Sequence, residues 1–328
     1  MKKPNILVTG ANGFIGHHLC RKLLDDKHSV LALTRSKNPK QLQPLLKKPG
    51  LSLLVGDINN SDFVKELFSS NKIDVVFHMA IEAAHRDNNK SKQKPNVSQT
   101  QIYQTNVLGT INLFEQASQH GTSAWIQSSS MSVYDFENPQ NIPVGEKHPA
   151  SPKEPYGLSK LLAEEICKYY NLNSSLKCFV LRYSGVFGHG KNRGIIAKLI
   201  DTYLNSSSET IDVDINRTSD FVYVGDVVNA NILAMEKILD NSFGPPETQS
   251  VFNIGSGVET SVKDLAEMII KITGAKLNIN PISSHHPRRF YFDINAAKKL
   301  LGYYPRDLRQ GLVEYIEKEK IERGGFAN

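Results

Sequence analysis

Asn5-Ile-Leu-Val-Thr9-Gly10-Ala-Asn-Gly13-Phe-Ile-Gly16 decides how the rest of this chain is read. A short apolar run breaks at Gly10 and passes through three glycines into an amphipathic helix ending near Leu24. The glycines serve, in turn, the tight turn, the close approach of backbone to a pyrophosphate, and the packing of helix on strand. The N-terminus of the helix adds N–H groups and a partial positive charge for phosphate. Strand before and helix after are the context in which a glycine trio reads as a dinucleotide site.

Outward from that turn, apolar runs alternate with helical patterns. Ser29–Thr34, Leu51–Val55, Asp74–Met79, Trp125–Ser128 and Phe179–Arg182 are near-continuously apolar, as strands buried on both faces of a parallel sheet should be. The expected fold is α/β: a doubly wound parallel-sheet Rossmann domain over 1–182, with a smaller C-terminal α/β substrate domain over 183–328. The first domain shares strands drawn from about 220–256. In the second, a helix is expected over Ile195–Leu204 and strands over Phe221–Val224 and Val251–Ile254. The polar, basic span from His85 to Gln101 reads as a substrate-side loop, and Ser206–Ser208 as a flexible turn.

The chain has 328 residues, 40% of them hydrophobic, and a formal charge of +6. Its Lys-rich stretches, Lys37–Lys48 and Lys90–Lys94, are interrupted by polar residues and Pro and read as solvated loops, not a nucleic-acid surface. Three cysteines without CxxC spacing (Cys20, Cys167, Cys178) sit in apolar-periodic segments, which fits buried thiols in a reducing cytoplasm and no metal site. Neither a signal peptide nor a membrane-length apolar run is present, so the expected protein is soluble and cytoplasmic, with no membrane partner.

Tyr156 and Lys160 are four residues apart on an expected helix and share a face. An ammonium at roughly 5 Å, at an effective dielectric of about 20, favours a phenolate by about 3 kcal/mol. That is roughly two pKa units, enough to bring a tyrosine near pH 7–8 as a general acid/base. At the end of the second strand, where an NAD site usually carries a carboxylate, the chain reads Thr34-Arg35-Ser36. An arginine there suits a 2′-phosphate, or stacks on adenine; the expectation is NAD(P), with NADP(H) favoured over NAD(H). Asp57 and Ile58 are expected beside the adenine.

Further motifs come in a fixed order: Gly56-Asp57-Ile58, His78-Met-Ala80, Asn106-Val-Leu-Gly-Thr110, Ser128-Ser-Ser130, Leu181-Arg-Tyr183, Asp220-Phe-Val-Tyr-Val224, Asn253-Ile-Gly-Ser-Gly257 and Leu301-Gly-Tyr-Tyr-Pro305. With the glycine trio and Tyr156-x-x-x-Lys160, they make the chain resemble the extended short-chain dehydrogenases/reductases, the NAD-dependent epimerase/dehydratase family. The resemblance implies Ser130, Tyr156 and Lys160 as the catalytic set. Tyr156 would move the proton, Lys160 would also bind the nicotinamide ribose, and Ser130 would contact the same substrate oxygen. It implies a cofactor lined by Gly10, Gly13, Phe14, Ile15, Gly16, Arg35, Asp57, Ile58, Met79, Ala80 and Ile81, with Ser128, Tyr156, Lys160 and Tyr183 toward the nicotinamide. Asn106 reads equally as a helix-kink anchor or a catalytic group, and His78 as a satisfied buried histidine. A homodimer through the helices carrying Asn106 and Tyr156 is implied by the resemblance; the apolar faces Val107/Ile111/Phe114 and Leu161/Leu162/Ile166 permit it and could equally be internal faces.

Departures from the family pattern shape the substrate expectation. Dehydratases carry an Asp-Glu pair where this chain has Met131-Ser132, so dehydration is disfavoured. Gly185, Ser219 and Ser283-Ser-His-His286 replace residues that hold a diphosphate in nucleotide-sugar epimerases. Arg217, Arg288 and Arg289 lie close by, either as shifted phosphate contacts or as surface charges. The leading reading is an epimerase or reductase acting by hydride transfer on a nucleotide sugar, with Ser130, Arg217 and Arg288 binding substrate. The alternatives are an NADPH-dependent reductase of a small ketone or aldehyde, and a non-catalytic NAD(P)-sensing module.

Overall fold

The computed structural model describes residues 3–83, 97–205, 210–241, 250–275, 278–283 and 288–323. Lys90–Lys94, Ser206–Ser208, most of the His85–Gln101 span and Ser284, His285 and His286 lie outside the described residues. Two compact units form: Met1–Asp135, Pro149–Arg182 and Ala230–Phe252 make the first; Phe136–His148, Tyr183–Asn229 and Asn253–Asn328 make the second. The division is therefore not a single cut at Arg182, because one stretch of each half belongs with the other.

The first half of the chain runs β1 (Asn5–Thr9), α1 (Phe14–Asp25), β2 (Ser29–Thr34), β3 (Leu51–Val55), α2 (Ser61–Ser70), β4 (Val75–His78), α3 (Gln99–Tyr103), α4 (Gly109–Gln119), β5 (Ala124–Ser130), α5 (Pro155–Asn173) and β6 (Lys177–Tyr183). After these come β7 (Gly185–Phe187), α6 (Ile195–Asn205), β8 (Thr210–Asp214), β9 (Thr218–Ser219), β10 (Phe221–Tyr223), α7 (Val224–Leu239), β11 (Val251–Ile254), β12 (Thr260–Ser261), α8 (Val262–Thr273), β13 (Asn278–Ile282) and α9 (Leu308–Glu322). The main sheet has seven strands in the order β11-β6-β5-β4-β1-β2-β3. The β1–β2, β1–β4, β2–β3 and β4–β5 pairs are parallel. Order reverses at β1, whose neighbours are β2 and β4, and ligands of open α/β sheets bind at such a switch point.

Apolar patterning explains the layers. Ile6, Leu7 and Val8 of β1 are fully buried, and α1 turns Gly16, Leu19, Cys20, Leu23 and Leu24 inward at helical spacing. Trp125 of β5 is fully buried, with Phe114 of α4 stacked on it at a centroid distance of 3.8 Å and Tyr170 of α5 stacked on Phe114 at 4.7 Å. Phe114 is thus a core residue, the internal one of the two placements open to it. All three cysteines are buried and free.

Three local expectations need correcting. Phe221–Tyr223 does not join the main sheet; it pairs with β7, Phe221 opposite Gly185, whereas Val251–Ile254 does join it. The basic stretch after Lys37 is not wholly solvated, because a 3₁₀ turn over Lys40–Leu45 buries Leu42 and Leu45 while Lys37, Lys40 and Lys47 stay exposed. The end of the His85–Gln101 span is helical: Ser98 and Gln101 form a reciprocal capping box that starts α3.

Candidate active site

Everything in the catalytic and cofactor sets except Tyr183 belongs to the first unit, at the carboxyl ends of its strands. Gly10 takes φ +62° at the end of β1, and a Cβ there would lie 2.6 Å from the Ala80 amide nitrogen. A Cβ on Gly16 would lie 2.3 Å from the Gly10 carbonyl oxygen, so the third glycine serves the packing of α1. The first turn of α1 therefore starts directly over the strand end, the arrangement that receives a pyrophosphate. A cleft of about 300 Å³ opens there. Gly10, Gly13, Arg35, Ile58, Met79, Ala80 and Ile81 line it, joined by Asn12, Leu33, Thr34, Ser36, Gly56 and Thr105, which the motifs did not single out as cofactor contacts. Phe14, Ile15, Gly16, Asp57, Ser128, Tyr156, Lys160 and Tyr183 are not among the lining residues. Asp57 instead builds the turn after β3, its carboxylate accepting from the Asn59 amide at 2.9 Å. Tyr183 is a buried residue at the end of β6.

Ser130 ends β5 and Tyr156 sits in the first turn of α5, whose N1 position is Pro155. Gly157 lets that helix start close in: a Cβ would fall 2.1 Å from the Ser132 carbonyl oxygen. The Ser130 side chain shares a hydrogen bond with the Tyr156 phenol, and its Oγ accepts from the Ser132 amide at 3.1 Å. Lys160 Nζ lies 5.9 Å from the centroid of the Tyr156 ring. It donates to the Ser128 carbonyl at 2.9 Å, and Ser128 Oγ donates in turn to the His78 carbonyl at 2.8 Å.

Electrostatics here differ from the simple two-residue expectation. Burial pushes the Tyr156 phenol up to about 12, with the Ser130 hydrogen bond pulling the other way. Burial also pulls the Lys160 ammonium down to about 7, opposed by Glu164. Lys160 thus does not bring the tyrosine near neutrality by itself, because desolvation weakens its own charge and its protons point to Ser128.

Under the lysine lies a buried network that the expected site omitted. Glu164, one turn beyond Lys160, pairs with Arg182 of β6 (Nε to Oε1 2.9 Å) and accepts from Ser129 Oγ at 2.5 Å. Arg182 Nη1 also donates to the Tyr134 hydroxyl at 2.5 Å. The four-residue spacing from Lys160 was the available signal for Glu164; nothing in the sequence pointed to Arg182 as its partner.

Asn106 is an anchor. It lies in a π-helical turn, Gln104–Leu108, between α3 and α4. Its carboxamide grips Glu82 twice, accepting from the backbone amide at 2.7 Å and donating to the carbonyl at 2.8 Å, and donates to Ser159 Oγ at 2.9 Å. His78 is a satisfied core histidine. Thr110 Oγ1 donates to the Asn106 carbonyl and so accepts from His78 Nε2 at 2.9 Å; Nδ1 is left to accept from Thr9 Oγ1 at 2.7 Å. Burial holds the imidazole neutral, down to about 3.

In the second unit, Arg217 and Arg288 come together. Thr218 and Arg288 share backbone hydrogen bonding, and Glu137 accepts from Arg288 Nη1 at 3.0 Å and from Arg217 Nη2 at 3.5 Å. The Arg288 guanidinium stacks over Phe136 at 5.5 Å. Arg289 is turned elsewhere, held by both oxygens of Glu259 at 2.7 and 2.6 Å. Gly185 could not carry a side chain without movement, since a Cβ would lie 2.8 Å from the Asp220 carbonyl oxygen. The buried Asp220 carboxylate accepts from the amides of Ser256, Gly257 and Phe292, so the motif that contains it is a structural staple of the second unit.

Known proteins are similar to this chain in sequence and fold. A putative UDP-glucose 4-epimerase of Methanocaldococcus jannaschii is 34% identical, the match covering 95% of this chain and 97% of that one. The crystal structure of a UDP-glucose 4-epimerase from Thermotoga maritima with UDP-glucose has a TM-score of 0.82 at 29% identity, covering 97% of this chain and 99% of that one. A Bacillus cereus UDP-glucuronic acid 4-epimerase, solved with a fluorinated UDP-glucuronic acid and NAD, has a TM-score of 0.78 at 28% identity over 97% and 99%. The profile of the NAD dependent epimerase/dehydratase family matches residues 6–255, and with the glycine turn, the tyrosine–lysine helix and the serine strand end in place, the chain belongs to that family.

Proposed function

We propose that this chain is a 4-epimerase of a UDP-sugar, working through an NAD(H) that it retains. The observation that carries the reading is the Ser130–Tyr156–Lys160 set followed by Met131 and Ser132. Elimination of water needs a second acid and base beside the tyrosine, and a thioether and a hydroxyl cannot supply them. Inversion at one carbinol carbon needs only a proton carrier, an oxygen-holding donor and a hydride store.

When bound, the nicotinamide supplies the hydride acceptor and donor together with a positive ring charge. Tyr156 takes the hydroxyl proton of the carbinol as that carbon is oxidised and returns it to the oxygen after reduction from the opposite face. Ser130 donates to the same oxygen. Lys160, charged in part near pH 7, lowers the phenol in the loaded site and is itself kept protonated by Glu164. In the second unit, Arg217 and Arg288 are read as the holders of the diphosphate, with Glu137 as their resting counter-ion.

For the cofactor, an arginine at the end of β2 supports NADP(H), whereas its ion pair with Glu82 supports NAD(H), because the guanidinium charge is already matched. We take NAD(H). A homodimer is read from a stripe on α5, where Leu158, Leu162, Tyr169 and Leu172 are exposed on one face, with Leu108 exposed before α4.

Nuclear magnetic resonance of UDP-glucose, UDP-galactose and their uronic acid and N-acetyl forms, incubated with the protein, tests the function. Interconversion at C4 without net NADH accumulation is expected, and Tyr156→Phe should lower the rate about 10²–10⁴-fold. Loss of water, or stoichiometric oxidation of the sugar, would overturn the reading.

A further inference from the structure

The end of β2 provides no carboxylate for the adenosine ribose, yet the structure brings one from the other side of the switch point. Sheet order places β4 and β2 on either side of β1, so the segments after β4 and β2 flank the Gly10 turn. Glu82, four residues after the last residue of β4, and Arg35, one after β2, meet across that turn at 2.9 Å (Oε2 to Nη2). Both segments line the cleft, through Ala80 and Ile81 and through Thr34, Arg35 and Ser36, and Glu82 reaches its edge at the Arg35 guanidinium.

We infer that Glu82 selects the cofactor: its carboxylate admits a ribose 2′-hydroxyl and rejects a 2′-phosphate. Three observations converge. The Glu82 side chain is only 20% exposed, so its charge is poorly screened, whereas Arg35 is 55% exposed and yields its charge to water. The Glu82 backbone is clamped at both N–H and carbonyl by Asn106, which is 2% exposed and itself tied to Ser159. The clamp fixes where the Glu82 side chain starts, and the Arg35 ion pair holds its carboxylate, so the charge is preorganised. Finally, Arg35 is already engaged by that carboxylate, so a 2′-phosphate would have to displace Glu82 from the guanidinium and sit beside it. Arg35 remains able to lie against the adenine face.

The inference rests on the cofactor reading above. Its test is calorimetric titration of the nucleotide-stripped full chain with NADH and with NADPH. No sugar enters, so missing epimerase activity and failure of this inference are separate results. The unaltered protein should bind NADH at least tenfold more tightly than NADPH. Glu82→Gln keeps size and the Asn106 clamp, and should move the ratio tenfold or more toward NADPH. Glu82→Ala carries the same expectation should the first variant fold poorly. Arg35→Ala should move the ratio further against NADPH. An unaltered protein that binds NADPH as tightly as NADH, or a ratio that shifts less than threefold in both Glu82 variants, overturns the inference.

Discussion

Two glutamate–arginine pairings in this protein use the same chemistry for opposite ends. Glu164 and Arg182, in the first unit, are 4% and 8% exposed, share a bidentate contact and add Ser129 and Tyr134 as further partners. Glu137, in the second unit, is 48% exposed and divides itself between Arg217 and Arg288 at 3.5 and 3.0 Å. A buried pair is held by the penalty of leaving either partner alone, whereas an exposed pair contributes little and exchanges readily for another anion. The first is a fixture beneath Lys160; the second is one carboxylate shared between two guanidiniums, read above as phosphate contacts.

The largest effect should come from breaking the buried pair. Arg182→Ala is expected to cost about 3–5 kcal/mol, because it strands a buried carboxylate, and denaturant unfolding monitored by circular dichroism would show it. Replacing Glu164 by Gln is gentler in shape. It removes the influence that raises the Lys160 proton affinity, so the alkaline limb of the pH–rate profile, where Lys160 loses its proton, should move to lower pH relative to the unaltered enzyme.

Stability against pH isolates Lys160 itself. Its folded-state value, about 7, lies below the usual lysine value of 10.5, so between those limits the unfolded chain binds more protons. Stability should therefore rise as pH increases from about 7 toward 10, the burial penalty being fully present below that window. Lys160→Met should flatten this component in thermal melts across that range.

The exposed pairing should behave in reverse. Arg288→Ala, at a side chain 16% exposed and stacked on Phe136, is expected to cost about 1–2 kcal/mol, less than Arg182→Ala, while weakening UDP binding tenfold or more in calorimetry. Smallest of all, Arg289→Ala should leave both melting temperature and UDP affinity unchanged, since its partner is Glu259 on the surface. Loss of UDP binding in Arg289→Ala but not in Arg288→Ala would exchange the roles given to the two arginines.

The sheet was legible because buried strands are written as apolar runs and the Gly10–Gly16 turn fixes their start. The placement of Tyr156 and Lys160 on one helix face was legible because a four-residue spacing is local in sequence. Glu82, Glu137 and Arg182 were not. Each acts through a partner distant in the chain, 47 residues away for Glu82 with Arg35 and 151 for Glu137 with Arg288, and no periodicity encodes such meetings. The expected acidity of Tyr156 missed for a related reason: pairwise charge follows from spacing, but desolvation depends on everything folded around the pair.

Asn106 has a practical consequence for anyone wishing to retune this protein. One carboxamide holds the backbone of Glu82 and, through Ser159, the turn of helix that bears Tyr156, whose carbonyl accepts from Ser159 Oγ at 2.7 Å. The side chain at position 82 is thus an interchangeable fitting on a fixed bracket, open to redesign without disturbing the proton carrier. The bracket is not interchangeable, because a change at position 106 removes the hydrogen bonds to Glu82 and to Ser159 together.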